Sequence, residues 1–273
     1  VRAMNGDQGS EPGTGRGVAG APRFLLDKWY ADWVDGERVE VLYRANLTLG
    51  PILIGYVGRI TPGGRSERSF VAGGVPLPSC TDGDLHWPAT APGEALCWTG
   101  ARPCPQVLWQ RDRQLLTWDP LVLNGRVVGP GLSPSARGYA ERLGLDFGPW
   151  RLGLERLLWG RYCGHRHSLV WIVWEGAHAQ RLALLDGRRC ELLSVAPERV
   201  EAGAAVLHLG PRQALVHESM AEGAVRGIPL PRRLAALRFL RGVESKWLAP
   251  GRLELDGAAV DAGQVIFEEV VWP

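Results

Sequence analysis

Three acidic residues lie close to large aromatics in segments that read as strands. Asp32 lies in KWYADWV (28–34), Glu155 in RLGLERLLWGRY (151–162), and Glu175 ends SLVWIVWE (168–175). Alternate side chains of a strand point to opposite faces, so Trp29 and Trp33 share one face and Tyr30 and Asp32 the other. The same alternation groups Glu155 with Trp159 and Arg161, and Trp171 with Glu175. A carboxyl enclosed by aromatic walls is poorly solvated when charged, stays protonated, and can protonate an alkene or epoxide. An arginine in such a site orients a carboxylate or an acidic tetramate-like or tetronate-like headgroup. The catalytic candidates are therefore Glu155, Asp32 and Glu175. The substrate-binding candidates are Trp29, Trp33, Tyr43, Trp159, Arg161 and Trp171.

Other constellations are weaker. His165-Arg166-His167 would place two imidazoles on one strand face, but no further ligand stands at a recognised spacing, and the segment sits where a turn is expected. No G-x-S-x-G elbow marks a nucleophile, and Ser168 beside His167 is mere adjacency. Phosphate-binding loops are absent from the sequence. The reading is no metal and no organic cofactor. The cysteines (Cys80, Cys97, Cys104, Cys163 and Cys190) are odd in number and lack C-x-x-C spacing, so they are expected to be reduced, mostly buried thiols.

The elements that must position these residues are mostly strands. Lys28–Val34 is followed by an Asp35-Gly36 hairpin turn and a long strand in which Val39, Val41, Tyr43, Ala45, Leu47 and Leu49 form the apolar face. Ile52–Ile60 is a further strand, and Pro62-Gly63-Gly64 a turn. Residues 73–105, dense in Gly, Pro and Asp, read as loop or short irregular strands. Gln106–Trp109, Gln114–Trp118 and Val122–Val128 read as successive strands, with Asn124-Gly125 as a turn signal. A second strand-rich block opens near Leu143, and Ser168–Glu175 is its clearest strand. Arg232–Arg241 (RRLAALRFLR) is the best helix candidate, with leucines spaced by three.

Composition bounds the rest. The chain has 273 residues, and Lys+Arg of 31 against Asp+Glu of 29 gives a formal charge of only +2. So small a net charge argues against a dedicated nucleic-acid binder. Lysine occurs only at Lys28 and Lys246, a bias read here as compositional. Twelve tryptophans must fill cores or line a cavity. Residues 1–22, rich in Gly, Ser and Pro, read as a disordered tail. No signal-peptide core appears, nor an apolar run near the ~20 residues that cross a bilayer. A cytoplasmic protein with no membrane span is expected; oligomeric state is not readable.

Lys28-Trp29-Tyr30, followed by a turn, a long strand and Gly55-Tyr56-Val57-Gly58, resembles the opening of the first lipocalin-like domain of the AttH and carotenoid 1,2-hydratase superfamily. Trp159-Gly160-Arg161 followed by SLVWIVWEG resembles the start of that superfamily's second barrel, and Leu182–Gly187 continues the pattern. The resemblance implies an all-β fold of two consecutive calycin barrels with a ligand pocket at their interface. The Gly129-Pro130-Gly131 turn, after which fresh strands begin, places the boundary between residues 130 and 150, and the domains expected are 23–140 and 141–273. The resemblance also implies a cofactor-independent enzyme acting on an apolar polyene or polyketide-derived small molecule. A cyclase of the Diels–Alderase kind comes first; a hydratase and a non-catalytic binder of an apolar ligand are the alternatives. No motif here carries over a hydratase's catalytic acid.

Overall fold

The computed structural model describes residues 24–61, 66–89, 94–220 and 241–273. The first ten strands are β1 (Phe24–Asp35), β2 (Arg38–Leu49), β3 (Ile52–Ile60), β4 (Glu67–Ala72), β5 (Ser79–Thr81), β6 (Asp84–Trp87), β7 (Leu96–Thr99), β8 (Gln106–Arg111), β9 (Gln114–Val128) and β10 (Arg137–Leu145). A 3-10 turn (Pro149–Leu152) leads to β11 (Leu154–Gly164), β12 (Ser168–Gly176), β13 (Gln180–Leu185), β14 (Arg188–Cys190), β15 (Leu192–Ala196), β16 (Arg199–Ala202), β17 (Ala205–Leu209), β18 (Gln213–Ser219), β19 (Val243–Leu255) and β20 (Ala258–Val271). The fold is all-β, in two consecutive lipocalin-like barrels.

Each barrel is one antiparallel ten-stranded sheet. The first runs β4-β3-β2-β1-β10-β9-β7-β6-β5 with β8 beside β9; the second runs β14-β13-β12-β11-β20-β19-β17-β16-β15 with β18 beside β19. Adding ten to every label of the first sheet gives the second, so the architecture is a repeat.

Local chemistry sets the hairpins. Asp82-Gly83, Asp186-Gly187 and Asp256-Gly257 all have positive φ, as tight turns between right-twisted strands require. Asn124-Gly125 is different: it lies inside the continuous strand β9 and makes no turn. Gly125 faces Gly138 across the β9–β10 pairing, and a Cβ on it would lie 2.6 Å from the Thr99 carbonyl oxygen. Glycine is needed there because backbones approach closely.

Alternation along the strands sorts side chains into three cores. In β1, Trp29, Ala31 and Trp33 face the first barrel's interior with Trp87, Trp98 and Val127. In β11 and β12, Tyr162, Trp171 and Val173 face the second barrel's interior with Val200, Leu207 and Leu253. The opposite faces of the same strands meet each other. Tyr30, Val41, Tyr43, Trp118 and Tyr139 from the first sheet pack with Trp159, Val170, Ile172, Trp174 and Ile266 from the second. The barrels are therefore joined by an aromatic core built from the outer faces of their central strands.

Several expectations are revised. Strand β10, which holds residues 140 and 141, pairs with β1 and β9 in the first sheet, so the change of sheet falls between Leu145 and Leu154. Gly129-Pro130-Gly131 is the β9–β10 connection within that sheet. All five cysteines are free, but only Cys163 is fully buried and Cys80 is exposed. Apart from Arg241, the helix candidate at 232–241 lies outside the described residues, as does the turn at 62–64. Among the described residues no helix is long and apolar enough to cross a membrane.

The close β1–β10 approach can be tested. A Cβ on Gly138 would stand 2.0 Å from the Asp32 carbonyl oxygen and 2.6 Å from Trp98 Nε1. Gly138→Ala should cost about 1–3 kcal/mol or more through overpacking. An unchanged urea midpoint would contradict this packing.

Candidate active site between the two barrels

β1 and β11 hold equivalent places in the two sheets, and their facing sides meet. Tyr30 lies opposite Glu141 on β10, and Trp159 lies opposite Glu268 on β20. The Tyr30 and Trp159 rings stack edge-on across the interface at 4.9 Å. Two residues further along, Asp32 meets Arg161. The repeat thus places unlike partners at matching positions: tyrosine against tryptophan, and acid against base.

The Asp32–Arg161 pair is wholly buried, with both side chains at 0% exposure. Arg161 grips the carboxylate with two nitrogens: Nε donates to Oδ2 at 2.9 Å, and Nη2 donates to Oδ1. Nη1 donates to the Gln264 carbonyl at 2.9 Å, and the Tyr30 hydroxyl donates to Asp32 Oδ2 at 2.9 Å. Burial works against the Arg161 charge, but the adjoining Asp32 carboxylate outweighs it and raises the guanidinium's pKa. Both oxygens of the Asp32 carboxylate are thus engaged by these donors. Asp32 therefore joins the barrels, and its partner Arg161 is not free to hold a substrate.

Beside this pair lies a second polar group set among aromatic rings. Glu141 Oε2 accepts from the Tyr139 hydroxyl at 2.7 Å, from Trp159 Nε1 at 3.2 Å and from Trp118 Nε1. All three bonds fall on Oε2; among the described residues Oε1 accepts none. Burial raises the Glu141 pKa; the bonds from Tyr139 and Trp118 and the charge of Lys28 only partly offset it. Lys246 is fully buried, 5.2 Å from the Tyr30 ring centre and 5.5 Å from those of Tyr43 and Trp159. It pairs with Glu268 and lies 3.6 Å from Glu244. Burial opposes its charge, but Glu268, Tyr43 and Glu244 together raise its pKa, so it stays an ammonium. Glu268 moves the other way: burial pushes it up, and Lys246 and Lys28 pull it down further. Lys28 completes the group, 5.3 Å from the Tyr43 ring centre. Lys28, Glu141, Glu244 and Glu268 are half-buried, so this edge of the cluster reaches solvent.

The sequence candidates therefore divide. Tyr43 and Trp159 lie in the cluster. Trp29 and Trp33 point into the first barrel, where Trp33 Nε1 donates to Glu40 at 2.9 Å, and Trp171 fills the second barrel against Gly160. These three are core residues because their strand faces turn away from the interface. Glu155 is exposed: the β11–β12 register slips between Leu154 and Arg156, which leaves Glu155 in a bulge and breaks its alternation with Trp159. Glu175 is exposed too, 3.6 Å from Arg156. Both charges lie outside any aromatic enclosure. Sequence reading missed Glu141, Tyr139, Lys246 and Glu268. A usable signal was present: both lysines of this arginine-rich chain meet at Tyr43, so their placement is not merely compositional.

His165–His167 forms the expected turn, its three backbone N–H groups donating to Asp261 at 2.8–3.1 Å. Among the described residues no cluster of three His, Cys, Asp or Glu is arranged for a metal. Burial pushes the Cys163 thiol up to about 12, which makes it a poor nucleophile. Two open depressions along the second barrel, lined by residues such as Arg181, Arg189 and Leu193, include no member of the aromatic cluster.

Two tests follow. Removing one partner of a buried ion pair costs about 3–5 kcal/mol, whereas replacing both with apolar residues is often near neutral. Arg161→Met should show the full loss in urea unfolding, and Asp32→Leu/Arg161→Met should recover most of it. The two glutamates should differ in the sign of their pH dependence. Glu141 has a raised pKa, so its protonation stabilises the fold at acid pH, and that contribution fades as pH rises through its folded value. Glu268 has a lowered pKa, so its contribution is present at neutral pH and fades as pH falls through its folded value. Relative to wild type, Glu141→Gln should gain stability with rising pH and Glu268→Gln should lose it. Parallel trends in urea titrations from acid to neutral pH would refute these environments.

No family model matches the chain, and no curated protein matches it in sequence. Solved structures share its fold. CghA, crystallised with Sch210972, aligns over 91% of this chain and 89% of its own at a TM-score of 0.61 and 12% identity. Kievitone hydratase from Nectria haematococca aligns over 90% of this chain and 88% of its own at 0.54 and 8% identity. The chain thus has the two-barrel fold seen in CghA and kievitone hydratase.

Proposed function

We propose that this protein is a cofactor-independent cyclase, of the Diels–Alderase kind, acting on an apolar polyene or polyketide-derived substrate at the inter-barrel cluster. The observation that carries the reading is Glu141. Burial raises the pKa of its carboxyl, which is anchored at Oε2 by Tyr139, Trp118 and Trp159 and, among the described residues, is unengaged at Oε1. The fold shared with CghA and with kievitone hydratase supports the same range of chemistry.

In this reading the polyene lies along the aromatic edge formed by Tyr43, Tyr56 and Phe70, whose ring centres are 6.5 and 5.1 Å apart. Held in a folded shape, its reacting ends are brought together before the barrier, which removes entropic cost. A substrate carbonyl accepts the Glu141 proton as a hydrogen bond. The Lys28 ammonium adds positive potential where electron density accumulates in the transition state. Shape and polarisation suffice for a pericyclic closure; no group is transferred.

The same carboxyl favours one alternative, hydration. Glu141 would give its proton to an alkene carbon, and the aromatic faces would stabilise the resulting cation. Water would then add to the cation, and its surplus proton would return to the Glu141 carboxylate. A binder without turnover needs no such acid.

The readings separate by mass. Purified protein incubated with linear polyenes bearing an acyl-tetramate head should convert them to products of unchanged mass by liquid chromatography–mass spectrometry. A gain of one water would assign hydration, and binding with no product would overturn the enzymatic reading. Glu141→Gln should slow turnover by about 10²-fold or more without lowering the melting temperature, the usual contribution of a positioned acid. Trp159→Ala should alter product selectivity.

A further inference from the structure

The β2–β3 hairpin tip is unlike its counterpart in the second barrel. It reads Leu49-Gly50-Pro51-Ile52-Leu53, whereas the equivalent β12–β13 tip reads Gly176-Ala177-His178-Ala179. The fold itself therefore does not require large apolar residues there. Ile52 is 56% exposed, and Leu49 and Leu53 are 37% and 38% exposed. Gly50 takes a φ of 57° and Pro51 follows, so the turn is short and stiff. The exposed surface continues sideways. Phe24 pairs with Leu49, Leu25 is 40% exposed, and Trp150, 55% exposed, packs edge-on against Phe24 at 5.7 Å.

Charge is arranged around this patch. Strand registers Leu26–Leu145, Leu145–Leu116 and Arg111–Gln114 place the β8–β9 turn at the same end of the first sheet. That turn exposes Arg111 and Arg113, with Asp112 between them, and Arg151 follows Trp150. Apolar side chains at a stiff tip, a tryptophan at the margin and arginines beyond it match the layering of a bilayer interface: acyl chains, boundary and anionic headgroups.

We propose that this end of the first barrel docks on a lipid bilayer, with Leu49, Ile52 and Leu53 entering the headgroup–acyl boundary. A strand advances about 3.4 Å per residue, so two or three residues of tip reach the ~5–10 Å depth of interfacial insertion. A second copy of the chain fits the patch less well, because a stable interface takes roughly 20–30 residues a side. Docking would bring the barrel to the phase into which an apolar substrate partitions, but the attachment itself does not depend on the proposed chemistry.

The test is vesicle flotation of the full chain on phosphatidylcholine alone and on phosphatidylcholine mixed with phosphatidylglycerol. Wild type should float with both, more with the anionic mixture. Ile52→Asp/Leu53→Asp should lower the bound fraction about tenfold or more, given the value of burying apolar side chains. Arg111→Glu/Arg113→Glu should remove only the preference for phosphatidylglycerol. Circular dichroism melting checks each variant, and Ile52→Ser/Leu53→Ser serves if the aspartates impair folding. Wild type that stays with the soluble fraction, or a tip variant that floats like wild type, overturns the proposal. So does a wild-type dimer in sedimentation velocity that the tip variant abolishes without any flotation. Flotation needs no substrate, so a failed turnover assay leaves this result standing, and a failed flotation leaves the turnover assay standing.

Discussion

The arrangement of the molecule depends on one buried ion pair. Asp32 and Arg161 come from different barrels, and neither touches solvent. An unpaired charge at that depth would be expensive, so the outer faces of β1 and β11 must meet in the register that brings these two together. Two-nitrogen contact from Arg161, a hydroxyl from Tyr30 and the Gln264 carbonyl leave little angular freedom. That fixed register sets Tyr30 on Trp159 and draws both lysines toward Tyr43. Hydrophobic burial alone would hold the sheets together without fixing their register, because apolar contact is not directional.

The repeat makes the asymmetry of the site readable. Glu141 and Glu268 occupy matching places beside Tyr30 and Trp159, yet their pKa values move in opposite directions. The cause lies one strand further out. Glu141 pairs with Pro120 on β9, whereas Glu268 pairs with Lys246 on β19. A proline brings no charge, so burial governs Glu141; an ammonium at contact overrides burial at Glu268. One architecture, used twice, thus raises the proton affinity of one carboxyl and commits another to a salt bridge. Pairs of acids pushed apart in this way mark sites of acid–base work.

Lysine also has a structural logic here. Arginine serves where a planar fork must grip a carboxylate, as Arg161 grips Asp32. The space among Tyr30, Tyr43 and Trp159 instead takes a compact charge that meets three ring faces and one carboxylate, and that is Lys246. The cage and its counter-ion are complete without a ligand. In the proposed reading, a substrate meets the edge where Glu141 and Lys28 reach solvent.

Much of the fold was legible in the chain. A period-two pattern gave β2, strand-favouring residue types gave β1, β3 and β12, Asp-Gly pairs gave hairpins, and the two barrel-opening segments pointed to the repeat, because alternation, residue preference and turn chemistry are local properties. Local rules also separated Tyr30 and Asp32 from Trp29 and Trp33. They could not say which face looks into a barrel and which looks across the interface, since both are apolar and both are buried. That choice, made only when the sheets curl and pack, moved Trp29, Trp33 and Trp171 into barrel cores. Glu155 was misplaced by a bulge that no residue type announces. Glu141 and Lys246 lie about a hundred residues apart in the chain and carry no shared motif, so only the pairing of β10 with β1 and of β19 with β20, closed across the Asp32–Arg161 contact, could bring them to one site.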